Sequence, residues 1–399
     1  MKHPDQTPQS FDHIFIGSGC AALSLALRIC KSPRLKNQSI LLIDPQSKSS
    51  NDRTWCSWQE GPDELFSKTE SISWQRMSFF SNAGKEIASL SSPYRYRMIR
   101  GDRFYQDTLC QLDPTRCTHL RESVASVDLE NLEIKTHSGQ RFRARQKIYN
   151  SSEQLSGVRR PARYEVWQHF YGIRIRTRTP QFDPEKVHFM DFRTPQEKGV
   201  SFFYLLPESA KLALIEYTLF SEQLCDQEYY LSQLACYIQQ KLQLSPNEYE
   251  ILSEEAGKIP MSSAAFPLQR SPQFLNIGSA GGLTKASTGY TFSRIQRDCE
   301  LILHHLENPD VPLKRISSAY RFRFYDHLFL NLVSTNPQVM TGIFYRLFQS
   351  SPLPRILRFL DEDSNLFEEI LIFFRLPWVP FLKALWRHLC GSFKSARLP

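Results

Sequence analysis

The sequence predicts an α/β protein with three parts: a layer of strand–turn–helix units, a domain built on a mixed β-sheet, and a helical C-terminal region. Three observations carry this expectation. A strand, a glycine turn and a helix follow one another near the N-terminus and again at 274–302. Short runs of β-branched and aromatic residues alternate between about 165 and 270. The last hundred residues mix Phe, Leu and Trp with Arg and Lys in proline-broken helical pieces.

The first unit is "FDHIFIGSGCAALSLALRI". The apolar run Ile14 to Ile16 meets Gly17-Ser18-Gly19, and a helical pattern continues through Ala22, Leu23 and Leu27. Gly17 permits a tight turn, Gly19 lets backbone approach a pyrophosphate, and Ala22 lets the helix pack on the sheet. The helix start then offers unpaired N–H groups and a positive dipole end to phosphates. A second strand, "SILLIDP", ends in Asp44, 27 residues after Gly17, where an acid accepts the ribose hydroxyls of an adenosine. Together these predict a Rossmann-type dinucleotide domain.

The later unit, "FLNIGSAGGLTKASTGYTFSRIQRDCELI", repeats the order. It resembles the late strand–G-D/S-x-A-G segment of the FAD-binding hydroxylase and reductase superfamily, which returns to the first domain and holds the flavin's ribityl and phosphate region. That resemblance points to FAD rather than NAD as the resident cofactor. The candidate contacts are Gly17, Ser18, Gly19, Cys20, Ala21 and Ala22, then Asp44 and Pro45, and finally Gly278, Ser279, Ala280, Gly281 and Gly282.

Composition restricts the remaining classes. The 399 residues are 41% apolar and 23% charged, too many for one simple core. Lys and Arg outnumber Asp and Glu by 49 to 41, a mild basicity that suits an anionic cofactor or membrane surface; no nucleic-acid module accompanies it. Nine cysteines without a C-x-x-C pair are expected to be reduced thiols in a cytosolic protein. No charge-free apolar run reaches the roughly 18 residues a spanning helix needs.

In the middle region, "ALIEYTLF" (213–220) reads as a strand that places Glu216 on one face with Leu214, Thr218 and Phe220. The pattern alone allows two readings: a carboxylate at a strand edge paired with an arginine, or a buried acid. Asp191 raises the same question, with Arg193 or Arg174 as its expected partner. Downstream, "SEQLCDQEYYLSQLACYIQQKL" is an amphipathic helix with Ser221 as its expected N-cap.

Five stretches resemble the flavoprotein lycopene cyclases of carotenoid synthesis, in that family's order and from about residue 11 to 385. They are "NDRTWCSW" (51–58), "FDPEKVHFMDFR" (182–193), "FFYLLPESAKLALIEYT" (202–218), "TKASTGYTFSRI" (284–295) and "ILRFLDED" (356–363). Two departures stand out: Ala286 replaces a frequent proline, and Tyr217 stands where the plant enzymes carry a second glutamate, leaving Glu216 as the retained acid. The resemblance implies redox-neutral cyclisation of the ψ-ends of lycopene, through monocyclic γ-carotene to β-carotene. Glu216 would be the catalytic acid, reduced FAD would stabilise the carbocation, and NADPH or NADH would be the reductant. An FAD-dependent monooxygenase or prenyl-chain reductase is the alternative on the same fold, and a flavin-containing lipid carrier a third reading.

The C-terminal helices then have two readings: docking in a membrane interface, with basic heads snorkelling to phosphates, or packing on the flavin domain. A lipid-dissolved substrate favours a peripheral position on the cytoplasmic side of a membrane. The expected boundaries are a disordered tail at 1–10, an FAD domain from 11–75, 100–163 and 271–308, a β-sheet substrate domain from 76–99 and 164–270, and a helical membrane-associating region at 309–399.

Overall fold

A computed structural model describes residues 8–61, 65, 66, 69 and 71–395. The expected tail therefore lies outside the described residues up to position 7. The first strand, Gln9–Ile16, begins two residues inside the segment expected to be tail.

The nucleotide layer is an eight-stranded sheet whose main path runs Gln269–Ser271, Phe274–Asn276, Arg141–Asn150, Gln9–Ile16, Ile40–Ile43 and Cys117–Leu120. The four pairings from Phe274–Asn276 across to Cys117–Leu120 are parallel, as strand–helix–strand crossovers require. Alternation sorts the first strand's side chains. Phe15 joins the core under helices Cys20–Lys31, Gly101–Gln111 and Phe292–Glu307. Ile14 and Ile16 face the opposite core, with Ile134 from the hairpin Val124–Asp128/Glu133–Thr136 and Phe142 from Arg141–Asn150.

The second domain is a seven-stranded mixed sheet in the order Tyr249–Ser262, Glu165–Thr177, Leu212–Ser221, Val200–Ser209, Lys186–Asp191, Arg76–Phe80 and Glu86–Leu90. Only the contact between Lys186–Asp191 and Arg76–Phe80 is parallel. One face, with Ile173, Phe203, Ile215, Tyr217 and Leu219, packs on Leu234, Tyr237 and Ile238 of helix Gln227–Lys241. That helix is capped by Asp226, whose carboxylate accepts from Tyr229 N. Ser221 instead ends its strand, and its hydroxyl bonds the His169 ring at 2.7 Å.

The other face, with Phe202, Leu206, Leu214 and Phe220, is covered by two groups of residues. One is a three-stranded sheet, Thr54–Glu60, Tyr94–Arg100 and Ser71–Trp74, contributing Trp58, Trp74, Tyr96 and Met98. The sequence division had split these strands between the two domains. The other is the C-terminal helical layer, including Leu328, Ile343, Leu347 and Leu357. Glu216 lies on this covered face.

A buried ion network joins the late glycine segment to the C-terminal helices. Lys285 Nζ lies 2.6 Å from Asp326 and 2.9 Å from Glu362, and Arg294 reaches Glu362 at 3.3 Å. Lys285→Met leaves two buried carboxylates without their shared cation. It is expected to destabilise the fold by about 3–5 kcal/mol, read as a lower denaturant midpoint.

Candidate active site

The first glycine turn has the geometry its sequence demands. Gly17 sits at φ +94°, and a β-carbon there would stand 2.1 Å from Ser151 Oγ, which is itself held by the Ile16 carbonyl at 2.8 Å. The Ser18 N–H donates to Asp44 at 2.7 Å, while its buried hydroxyl has no partner among the described residues. Gly19 precedes helix Cys20–Lys31 in extended conformation, and among the described residues no side chain caps that helix. Among the described residues a β-carbon on Gly19 would meet nothing within 4 Å. An uncapped helix start, an orphaned hydroxyl and an open approach over Gly19 together fit a pyrophosphate.

Asp44 is buried and held below the usual carboxylate range. Burial opposes this, but the N–H groups of Ser18 and Gln46 and the Lys48 ammonium at 3.3 Å outweigh it. Lys48 was not foreseen: it shares Asp44 with any ribose that binds there. Pro45 is exposed beyond the strand end, and its carbonyl accepts from Arg121. Cys20 is buried and its thiol pushed up to about 12 by burial, so it packs rather than reacts. Ala21 and Ala22 are buried at the same helix start.

The late turn returns to this place. Gly278 has φ +61°, with its would-be β-carbon 3.2 Å from the methyl of Ala21. The turn 278–281 follows strand Phe274–Asn276, anchored by Asn150 Nδ2 donating to Asn276 at 2.8 Å. Ala280 and Gly281 are buried, Ser279 is half-buried, and Gly282 closes the turn at φ +71° against Phe266. The two glycine turns, some 260 residues apart, thus form one cradle, and these residues fit a flavin dinucleotide.

Glu216 belongs to a transverse row on the covered face of the mixed sheet. Register places Glu255, Gly172, Glu216 and Tyr204 side by side on four neighbouring strands. Glu216 accepts from Thr218 Oγ1 at 2.7 Å. Its carboxyl is pushed up to about 8, first by burial and then by the charge of Glu255, with the Thr218 bond offsetting part of the rise. The residue keeps part of its surface although its neighbours on this face, Leu214 and Phe220, are buried.

Aromatic rings stand near Glu216, Tyr204 and Tyr290 close enough to feel its charge. Tyr204 neighbours Glu216 in the row, and Tyr96 and Tyr290 share a hydroxyl contact at 3.2 Å. Trp58 meets Tyr290 edge-on at 4.7 Å between centroids, and Tyr290 follows Thr288-Gly289 in the late segment. Tyr217 projects to the opposite face, in tilted ring contacts with Phe203 and Tyr229. Asp191 is also on that side, ion-paired to Arg193 at 2.5 Å and bonded by Tyr237 at 2.7 Å. Arg174 pairs with Glu208 instead.

Sequence reasoning missed Glu255. It lies in a charged run, "SEEAGK", that reads as a solvated strand edge. Its neighbour Glu254 does face outward, receiving the Tyr171 hydroxyl. Only alternation combined with register shows that Glu255 turns inward.

The dinucleotide cradle and mixed substrate sheet define a flavoprotein-type α/β fold, and solved structures share it. A flavoprotein/dehydrogenase from Cytophaga hutchinsonii is 13% identical over 96% of this chain and 100% of its own, with a TM-score of 0.61. A geranylgeranyl bacteriochlorophyll reductase-like protein from Thermoplasma acidophilum is 12% identical over 95% and 96%, at 0.58. The p-nitrophenol 4-monooxygenase PnpA of Pseudomonas putida is 12% identical over 92% and 98%, at 0.57. No curated protein sequence matches the chain. The family described as "Lycopene cyclase protein" matches residues 12–386, and the chain belongs to that family.

Proposed function

We propose that the protein is an FAD-dependent lycopene β-cyclase that closes the ψ-ends of lycopene to β-ionone rings, by way of γ-carotene to β-carotene. The observation that carries this reading is the placement of Glu216: a carboxyl group on the covered apolar face with Leu214 and Phe220 and beside Tyr204, where burial pushes it up to about 8. Alkenes are very weak bases, so the acid that protonates one must be neutral and dry. Once a tertiary cation forms, the rings of Tyr204, Tyr290 and Trp58 offer it π faces, each contributing about 0.5–2 kcal/mol when desolvated, without trapping it as water would. The apolar side chains of Leu214, Phe202 and Phe220 bind a hydrocarbon and exclude solvent. Bound FAD, reduced by NADPH or NADH, would supply negative charge that favours the cation.

Incubation of the FAD-loaded protein with lycopene and excess NADPH under nitrogen tests the reading. Isobaric cyclic products, with one deuterium per ring in heavy water, are expected. The fold is shared with a reductase-like protein and a monooxygenase, so a second reading is reduction or oxygenation of an isoprenoid chain. A gain of hydrogen, or of oxygen in air, would replace the cyclase reading; recovery of unchanged lycopene would favour a carrier.

A lipid-dissolved substrate calls for a docking surface, and the C-terminal helices have the required chemistry. On Leu366–Phe373 and Trp378–Ser395, with the turn between them, Phe367, Phe374, Trp378, Val379 and Trp386 are more than half exposed, beside exposed Arg375 and Lys383. Among the described residues no helix is long and apolar enough to cross a membrane. These helices would dock peripherally, with rings in the interface and basic heads at phosphates. Trp378→Glu with Trp386→Glu is expected to weaken co-sedimentation with anionic vesicles by about tenfold or more, with the fold unchanged.

A further inference from the structure

We infer that Glu255 is a second acid–base group of this site, which takes up the proton lost from the closing ring while Glu216 supplies the proton that starts closure. The inference rests on the cyclase reading and assigns a residue that the reading leaves without a role.

The two carboxyl groups flank Gly172 from opposite sides, on strands Tyr249–Ser262 and Leu212–Ser221. Glu255 Cγ and Glu216 Cβ both lie within 3.5 Å of the point where a β-carbon on Gly172 would stand. Glycine here lets two acids converge over a strand that would otherwise separate them.

Their surroundings differ. Glu255 Oε2 accepts from Thr54 Oγ1 at 2.6 Å and Asn51 Nδ2 at 3.1 Å, donors that favour an ionised carboxylate. Burial pushes the Glu255 carboxyl above its ordinary range. The Thr54 and Asn51 bonds and the Arg100 charge oppose that rise and the Glu208 charge adds to it, with Arg100 and Glu208 already engaged by Asp102 and Arg174 respectively. Glu255 Oε1 is buried and has no hydrogen-bond partner among the described residues. Among the described residues Glu216 has only the Thr218 hydroxyl as a hydrogen-bond donor, and the groups facing it are Glu255, Tyr204, Tyr290 and Cys56. Two carboxyls in unequal environments divide into a proton holder and a proton acceptor.

The proton balance closes. The O–H bond of Glu216 breaks as its proton joins the terminal alkene carbon. The π pair of the neighbouring double bond then forms the ring C–C bond. A ring C–H bond breaks, its electron pair becomes the ring double bond, and that proton passes to Glu255 Oε1. Return of one proton from Glu255 to Glu216 across Gly172 restores the starting state.

Glu255→Gln keeps the side-chain shape and removes the acceptor. With FAD content unchanged, we expect ring closure at least tenfold slower and products in which the ring double bond is scattered among isobaric isomers. Formate added to Glu255→Ala should recover part of the rate. Without substrate, the infrared band of protonated Glu216 should disappear at lower pH in Glu255→Gln than in the native protein, because the repelling charge is gone. Native rate, a single ring isomer and an unmoved Glu216 titration in Glu255→Gln would overturn the inference alone. Wild-type protein that closes no rings would overturn the cyclase reading, and the role of Glu255 with it.

Discussion

Glu216→Gln should abolish ring closure while leaving the protein folded and flavin-loaded. Loss of a positioned general acid lowers turnover by about 10²–10⁴-fold. The amide keeps the Thr218 contact but has no proton acidic enough for an alkene. The pH profile of the native protein should carry the same signature. Glu216 must be protonated and Glu255 ionised, so turnover should fall as pH rises through about 8 and should also fall on the acidic side as Glu255 takes up a proton. A glutamate at its ordinary value of 4.5 would be spent before neutrality. Stability should follow with the same sign. The folded state holds a proton that the unfolded chain releases at lower pH, so native stability is lost between about 4.5 and 8 as pH rises. Glu216→Gln cannot ionise and should escape that loss. Parallel urea titrations of both proteins across the window would show it, and identical pH dependence would mean that residue 216 is hydrated.

Gly17→Ala and Gly19→Ala should separate two uses of glycine in one turn. Alanine at 17 must adopt φ +94° and place its methyl 2.1 Å from Ser151 Oγ, so the turn has to open. The backbone strain alone costs about 1–3 kcal/mol, and both stability and flavin content should fall. At Gly19 the backbone is extended, with φ −78°, and the added methyl meets no protein atom within 4 Å. Stability should change by at most about 1 kcal/mol. Flavin affinity should nevertheless fall at least tenfold, because the methyl occupies the approach of the pyrophosphate. Absorbance of bound flavin per protein, measured beside the unfolding midpoint, distinguishes the two. Full flavin content in Gly19→Ala would place the phosphates elsewhere.

Much of the architecture was legible because it is written in local periodicity. The Ile14–Ile16 run, the glycines after it and the acid ending "SILLIDP" are local signals of strand, turn and crossover, and the structure assembles them as expected. Strand Leu212–Ser221 likewise follows from alternation, which put Glu216 with Leu214 and Phe220 and sent Tyr217 the other way. The cap of helix Gln227–Lys241 was misjudged because Ser221 and Asp226 are both good capping residues, and strand pairing to Trp167 claims Ser221.

By itself, then, the sequence determined the nucleotide turn, the mixed sheet and the face on which Glu216 stands, since each depends on residues within a few positions of one another. Tertiary structure decided what surrounds that face. The third sheet draws Trp58 and Tyr96 beside Tyr290, and register across three strands brings Glu255 to Glu216 over a glycine. Contacts between segments tens to hundreds of residues apart leave no periodic trace in the chain, and the acidity of Glu216 is set by the burial and opposing charge that those contacts create.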